Sequence, residues 1–159
     1  MQLLTIVVIL LGAGIVSGAK NPDEVLFKCI FKQGPWDDEG LGYNDGRWQV
    51  TGAITDGGVV HDDYLFVDGM ISHYTMTGRQ GDLYIDVELA PFEWIGPSTV
   101  MFEGAWEIAG GTGAYAGASG SGAATQIIVL AAAMHSGEYM VGGPAVSNHV
   151  VLEGEFHFP

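Results

Sequence analysis

An all-β chain, a small antiparallel β-barrel of about eight strands preceded by an N-terminal signal-peptide helix, is predicted by three observations. Apolar and polar residues alternate with period two along most of the chain. The alternating runs are joined by short stretches rich in Gly, Asp and Asn, with no persuasive helix after the leader. Gly52, Gly104 and Gly154 fall in phase with the apolar residues of their strands. That phase favours a barrel over a sandwich, because a missing side chain lets a strand coil and a facing aromatic fill a narrow interior.

In order, residues 3–16 form an apolar run of signal-peptide length, and Ser17-Gly18-Ala19 suits signal peptidase, so residues 1–19 are expected to be a leader cleaved after Ala19. The run is short for a membrane span, and no stable span remains once it is removed. An uncleaved anchor is the alternative, since Met1-Gln2 lacks basic residues. Residues 20–46 read as a first strand, Glu24 to Lys32, and an acidic loop, 34–46, in which Asn44-Asp45-Gly46 has tight-turn chemistry. With residues 47–159 this segment makes a single domain.

From Arg47 the alternation is regular. Trp48, Val50, Gly52 and Ile54 share a face, and Thr55 to Gly58 turns the chain. Strands follow at about Val59 to Val67 and at Met70 to Thr77, separated by an Asp68-Gly69 hairpin signal. Asp82 to Leu89 alternates most cleanly, Leu83, Ile85, Val87 and Leu89 against Asp82, Tyr84, Asp86 and Glu88. Residues 91–98, with two prolines, read as a loop or short helical turn. Thr99 to Ile108 resumes the strand pattern, and the glycine-rich stretch through Gly122 connects it to a strand from Ala123 to His135. Ser136 to Asn148 reads as loop, and His149 to Phe158 as a closing strand.

Five Lys and Arg against 19 Asp and Glu give a net charge of −14, which repels a phosphate backbone and excludes nucleic acid as a natural partner. Cys29 is the only cysteine, so no internal disulfide forms, and it reads as a small buried side chain. Asp37, Asp38, Glu39, Asn44 and Asp45 carry oxygens but miss the EF-hand spacing, and His61, His73, His135, His149 and His157 form no HxH or HExxH pair. No metal site and no cofactor are expected. His61-Asp62-Asp63 reads as a solvated turn or strand end, and Ser119 and Ser121 lie in no nucleophile elbow. Gly111, Gly113 and Gly117 follow an apolar strand, yet no βαβ unit surrounds them, so they shape a connection rather than cradle a dinucleotide.

The segments GRWQVTGAITDGGVV, DLYIDVEL and FEGAWEIAGGTGAYAGASGSG, spanning Arg47 to Gly122, with the terminal strand, resemble exported bacterial β-barrel proteins related to the allene oxide cyclase and dirigent superfamily. The resemblance implies an eight-stranded antiparallel barrel, often a homo-oligomer, with an apolar central cavity that in some members steers reactive intermediates. It carries no catalytic residue onto this chain. Fold analogy alone does not establish chemistry.

The expected protein is therefore an exported barrel, secreted or periplasmic, without enzymatic activity, whose interior holds a small hydrophobic ligand. Trp48, Tyr84, Trp106 and Tyr115 are the candidate ligand-binding aromatics, although Tyr84 lies on the acidic face. A cyclase or dirigent-like catalyst that templates a reactive intermediate, and a structural or interaction protein with a packed interior, are the alternatives. Asp86, Glu88, Glu103, Glu107, Glu153 and Glu155 all fall opposite the apolar faces, which argues against a conventional acid/base enzyme.

Overall fold

The computed structural model describes residues 21–36, 39–66, 68–131, 133–136, 139–142 and 145–159. The leader expected at 1–19 lies outside the described residues, as do Asp37 and Asp38. The strands are β1 (Glu24–Trp36), β2 (Leu41–Gly52), β3 (Asp56–Phe66), β4 (Met70–Thr77), β5 (Asp82–Leu89), β6 (Glu93–Gly96), β7 (Thr99–Gly111), β8 (Ser119–Leu130), β9 (Ala133–Ser136), β10 (Tyr139–Gly142) and β11 (Ala145–His157). Eight of them run antiparallel in the order β5-β4-β3-β2-β1-β11-β8-β7, and β7 pairs back onto β5, closing a barrel. Closure leaves no open sheet edge among these eight. The short β6 extends the sheet beside the start of β7, and β9 with β10 forms a separate hairpin between β8 and β11.

The alternation read from sequence is the inside–outside alternation of the barrel. Met70, Ser72, Tyr74 and Met76 of β4 and Leu83, Ile85, Val87 and Leu89 of β5 are buried, with their neighbours turned towards water. Phe27, Cys29 and Phe31 of β1, Phe102 and Trp106 of β7, and Val150, Leu152 and Phe156 of β11 complete the core. On the outside, Glu88, Glu103, Glu107, Glu153 and Glu155 are exposed and Asp86 is partly exposed.

Five expectations are corrected. The acidic loop at 34–46 is largely strand: Asn44, Asp45 and Gly46 lie inside β2, paired to both β1 and β3. Gly46 is there because a side chain would collide with the Ile30 carbonyl of the coiled neighbouring strand, not because the chain turns. The turn read at Asp56 to Gly58 is already β3, and the prolines at 91 and 97 flank the short strand β6 rather than a helical turn. Part of the loop expected at 136–148 is strand, in β10 and the start of β11. Finally, Gly104 is exposed, and what its missing Cβ spares is the Glu88 carbonyl on β5, so it serves strand-to-strand approach rather than space for an interior aromatic.

One end of the barrel is closed by the connection from β7 to β8. A single 3₁₀ turn, Gly113–Tyr115, folds back so that Tyr115 is fully buried against Phe156 and donates its hydroxyl to Asp56 Oδ2 at 2.6 Å. Asp56 also accepts from the Arg79 backbone N–H and Nε and from the Gln80 N–H, each at 3.3 Å. Burial alone would raise this carboxyl, but the hydrogen bonds from Tyr115 and the backbone outweigh it and hold it down to about 2.

Candidate functional site

The other half of the interior is polar. His61-Asp62-Asp63 is neither turn nor strand end but the middle of β3, where alternation sends His61 and Asp63 outwards and Asp62 inwards, in phase with Val60 and Tyr64. His61 bonds Asp45 at 2.8 Å and Asp63 at 3.2 Å on the outer face, whereas Asp62 is wholly buried. The acids expected opposite the apolar faces do lie on the outside, but Asp56 and Asp62 are interior carboxylates in addition to them.

Asn44 Nδ2 on β2 donates to Asp62 Oδ2 at 2.7 Å. Tyr74 on β4 is the register partner of Asp62, and Ser72 lies one inward position further along. Burial pushes the Asp62 carboxyl up to about 6, and the Asn44 amide, the Ser72 hydroxyl and outward-facing His61 only partly offset that rise. Burial, with the adjacent Asp62 charge, also pushes the Tyr74 hydroxyl and the Cys29 thiol up, so both remain protonated at any ordinary pH. Cys29 is therefore no thiolate nucleophile. Near the mouth, Tyr64 is raised by burial, with Gln33 on β1 partly offsetting the rise.

Asn44 Oδ1, Asp62 Oδ1, Ser72 Oγ and Tyr74 Oη are buried without a well-formed hydrogen bond, and so is Gln126 Oε1 on β8. In the eight-strand ring β8 stands opposite β3, with three strands between them on either side. Followed through Tyr74, Ile85 and Ile108, the register from Asp62 leads towards Gly120; followed through Asn44 and Gln33, it leads towards Leu130. Gln126 lies between those limits, near the height of Asp62 on the far wall. Its Nε2 donates to Asn148 Oδ1 at 2.8 Å, which leaves its own oxygen free. Buried polar atoms are nearly always paired, so five without a well-formed hydrogen bond among the described residues of one interior set it apart from an ordinary packed core.

The surroundings are aromatic. Below the polar cluster, Phe27 packs edge-on to Trp106 at 5.5 Å and lies 6.2 Å from Trp48. These rings separate the cluster from the Asp56–Tyr115 end. Phe31 meets Tyr74 at 5.4 Å within the cluster. Towards the other end Phe102 touches Phe66 and Phe92, and Phe92 touches Trp94, with Phe66, Phe92 and Trp94 partly exposed as a rim.

Of the aromatics singled out from sequence, Trp48 and Trp106 form this floor, their indole N–H groups donating to the Thr77 and Glu153 carbonyls at 3.3 and 3.2 Å. Tyr115 is in the end plug, and Tyr84 is on the outer wall, 37% exposed. The structure does not bring the four together. Sequence reasoning missed Asn44, Asp62, Ser72, Tyr74 and Gln126, although a signal existed: each is in phase with the apolar face of its strand. Among the described residues no group of three or more His, Cys, Asp or Glu side chains is arranged to hold a metal. No protein-family model, no curated protein and no solved structure matches the chain, so the site is read from its own geometry.

Proposed function

We propose that the barrel binds a small, mostly apolar molecule, whose tail lies among the rim aromatics and whose polar group reaches the cluster around Asp62. The observation that carries this reading is the set of five buried polar atoms on facing walls that lack a well-formed hydrogen bond. A merely structural barrel gains nothing from them, since each unsatisfied group costs about 1–3 kcal/mol that an apolar residue of similar size avoids. The reading goes with the resemblance of residues 47–122 to the allene oxide cyclase and dirigent barrels, and with an exported chain that begins at Lys20 once its leader is removed. The test is titration with the neutral fluorophore N-phenyl-1-naphthylamine. Saturable one-to-one binding that raises the thermal midpoint is expected, with loss of affinity in Ser72→Phe, which fills the cluster. Absence of saturable binding to the folded wild-type protein would overturn the reading.

A second reading is favoured by one observation, the Asp62 carboxyl held near 6 beside a Tyr74 hydroxyl that stays protonated. A base poised near neutrality and a neutral donor, both in a dry setting, are what proton abstraction from carbon requires, as in a cyclase or isomerase. On this reading the protein accelerates the Kemp elimination of 5-nitrobenzisoxazole, with a rate that rises with pH through about 6. Asp62→Asn would abolish that acceleration. An unchanged rate in the variant would exclude Asp62 as the base.

A further inference from the structure

We propose that the polar cluster selects a protonated amine, so that the ligand is a small molecule with a cationic amino head and an apolar tail. The inference rests on the ligand-binding reading above and specifies the chemistry of the head.

It follows from the balance of donors and acceptors. Asn44 spends an amide N–H on Asp62 and Gln126 spends one on Asn148, which leaves their carbonyl oxygens as unpaired acceptors, and Asp62 Oδ1 has no well-formed hydrogen bond, with only the Ser72 hydroxyl beside the carboxyl. Ser72 Oγ and Tyr74 Oη are hydroxyls that can turn to accept as well. An ammonium group brings three donors and no acceptor; an alcohol brings one donor, and a carboxylate none.

Charge points the same way. Once ionised, Asp62 is a buried anion, and the Lys and Arg side chains among the described residues, Lys28, Lys32, Arg47 and Arg79, are all exposed. His61, the basic group next to it in the chain, faces outwards and is held by Asp45 and Asp63. A buried carboxylate without a counter-charge is costly, and a ligand cation would supply one. The Phe31 and Tyr74 rings beside it add faces that attract a cation. At longer range the net charge of −14 draws cations and repels anions.

The test compares three ligands of equal length, n-octylamine, 1-octanol and octanoic acid, by calorimetric titration of the full chain at pH 7.5 and pH 5. At pH 7.5 octylamine should bind at least about tenfold more tightly than octanol, and octanoic acid more weakly than either. At pH 5 the octylamine advantage should shrink about tenfold, because binding must first expel the Asp62 proton, while octanol affinity stays level. Asp62→Asn should bring octylamine down to octanol. Ser72→Ala, a milder change, should weaken octylamine more than octanol. Octanol binding as tightly as octylamine in the wild-type protein overturns the amine assignment and leaves the ligand site standing. An octylamine advantage that persists at pH 5 or in folded Asp62→Asn also overturns it. If neither these three ligands nor the neutral fluorophore binds, the ligand site falls too.

Discussion

Asp62 shows how one side chain sets the character of an interior. A carboxyl that belonged to a stable, inert core would be paired as Asp56 is, by four donors that depress its pKa. Asp62 has only the Asn44 amide and the Ser72 hydroxyl to set against its burial, and its pKa is raised, so the folded state holds its proton more tightly than the unfolded chain does. The sign follows. Its ionisation costs the fold nothing below about 3.8, a growing amount as pH rises towards about 6, and a constant amount above. The shift corresponds to about 3 kcal/mol at neutral pH. Asp62→Asn removes that penalty while keeping the shape. The variant should melt several degrees above the wild-type protein at pH 8 and within about a degree of it at pH 4. A variant less stable than wild type at both pH values would mean that the carboxylate is stabilised by something other than its described neighbours.

At the scale of elements, the clean period-two runs were legible: β4 and β5 have the limits expected from sequence, because polar and apolar residues divide between the two faces throughout β5 and in β4 everywhere but at Ile71 and Ser72. The candidate site was not legible, for the opposite reason. On β2, β3 and β8 the inward face carries Asn44, Asp62 and Gln126, residue types whose presence normally signals solvent, so Asn44-Asp45-Gly46 looked like a turn and His61-Asp62-Asp63 like a strand end. Only the phase shared with Trp48, Val60 and Ala124 distinguishes them. Glycines mislead in the same way. Gly104 looked like relief for an interior aromatic, yet a Cβ there would run into the Glu88 carbonyl and crowd the Leu89 backbone of β5. Gly104→Val should therefore strain the pairing that closes the barrel, with a loss of at least about 2 kcal/mol by denaturant unfolding. Hydrogen exchange should quicken at the β5–β7 ladder before it quickens elsewhere. An unchanged unfolding midpoint would show that the two strands can separate there at little cost.

For the molecule as a whole, closure places two aspartates in one interior, Asp56 at the plugged end and Asp62 further along β3, and their titrations act in opposite directions. Asp56, held at about 2, contributes stability that is complete above about 3.8 and is lost as pH falls through 2. Asp62, pushed to about 6, costs stability that grows from about 3.8 to about 6. His61 is raised chiefly by its hydrogen bond to Asp45, so its contribution is present below its usual value of 6.5 and disappears as pH climbs past its folded value. The 19 acidic residues add a general term, since the repulsion among them relaxes as they begin to protonate. All four trends favour the fold in the window just above the unfolded carboxyl range. Maximum thermal stability is therefore expected at about pH 4 to 5, below the pH 5 to 8 interval where globular proteins usually peak. A thermal-midpoint series from pH 3 to pH 9 measures it directly. Asp62→Asn should flatten the alkaline side of that curve, whereas Tyr115→Phe, which removes the 2.6 Å hydrogen bond to Asp56, should lower the curve at every pH above about 4. A wild-type maximum at neutral pH would mean that the interior carboxylate at position 62 is ionised at little cost, and the case for a site that calls for a counter-ion would lose its energetic basis.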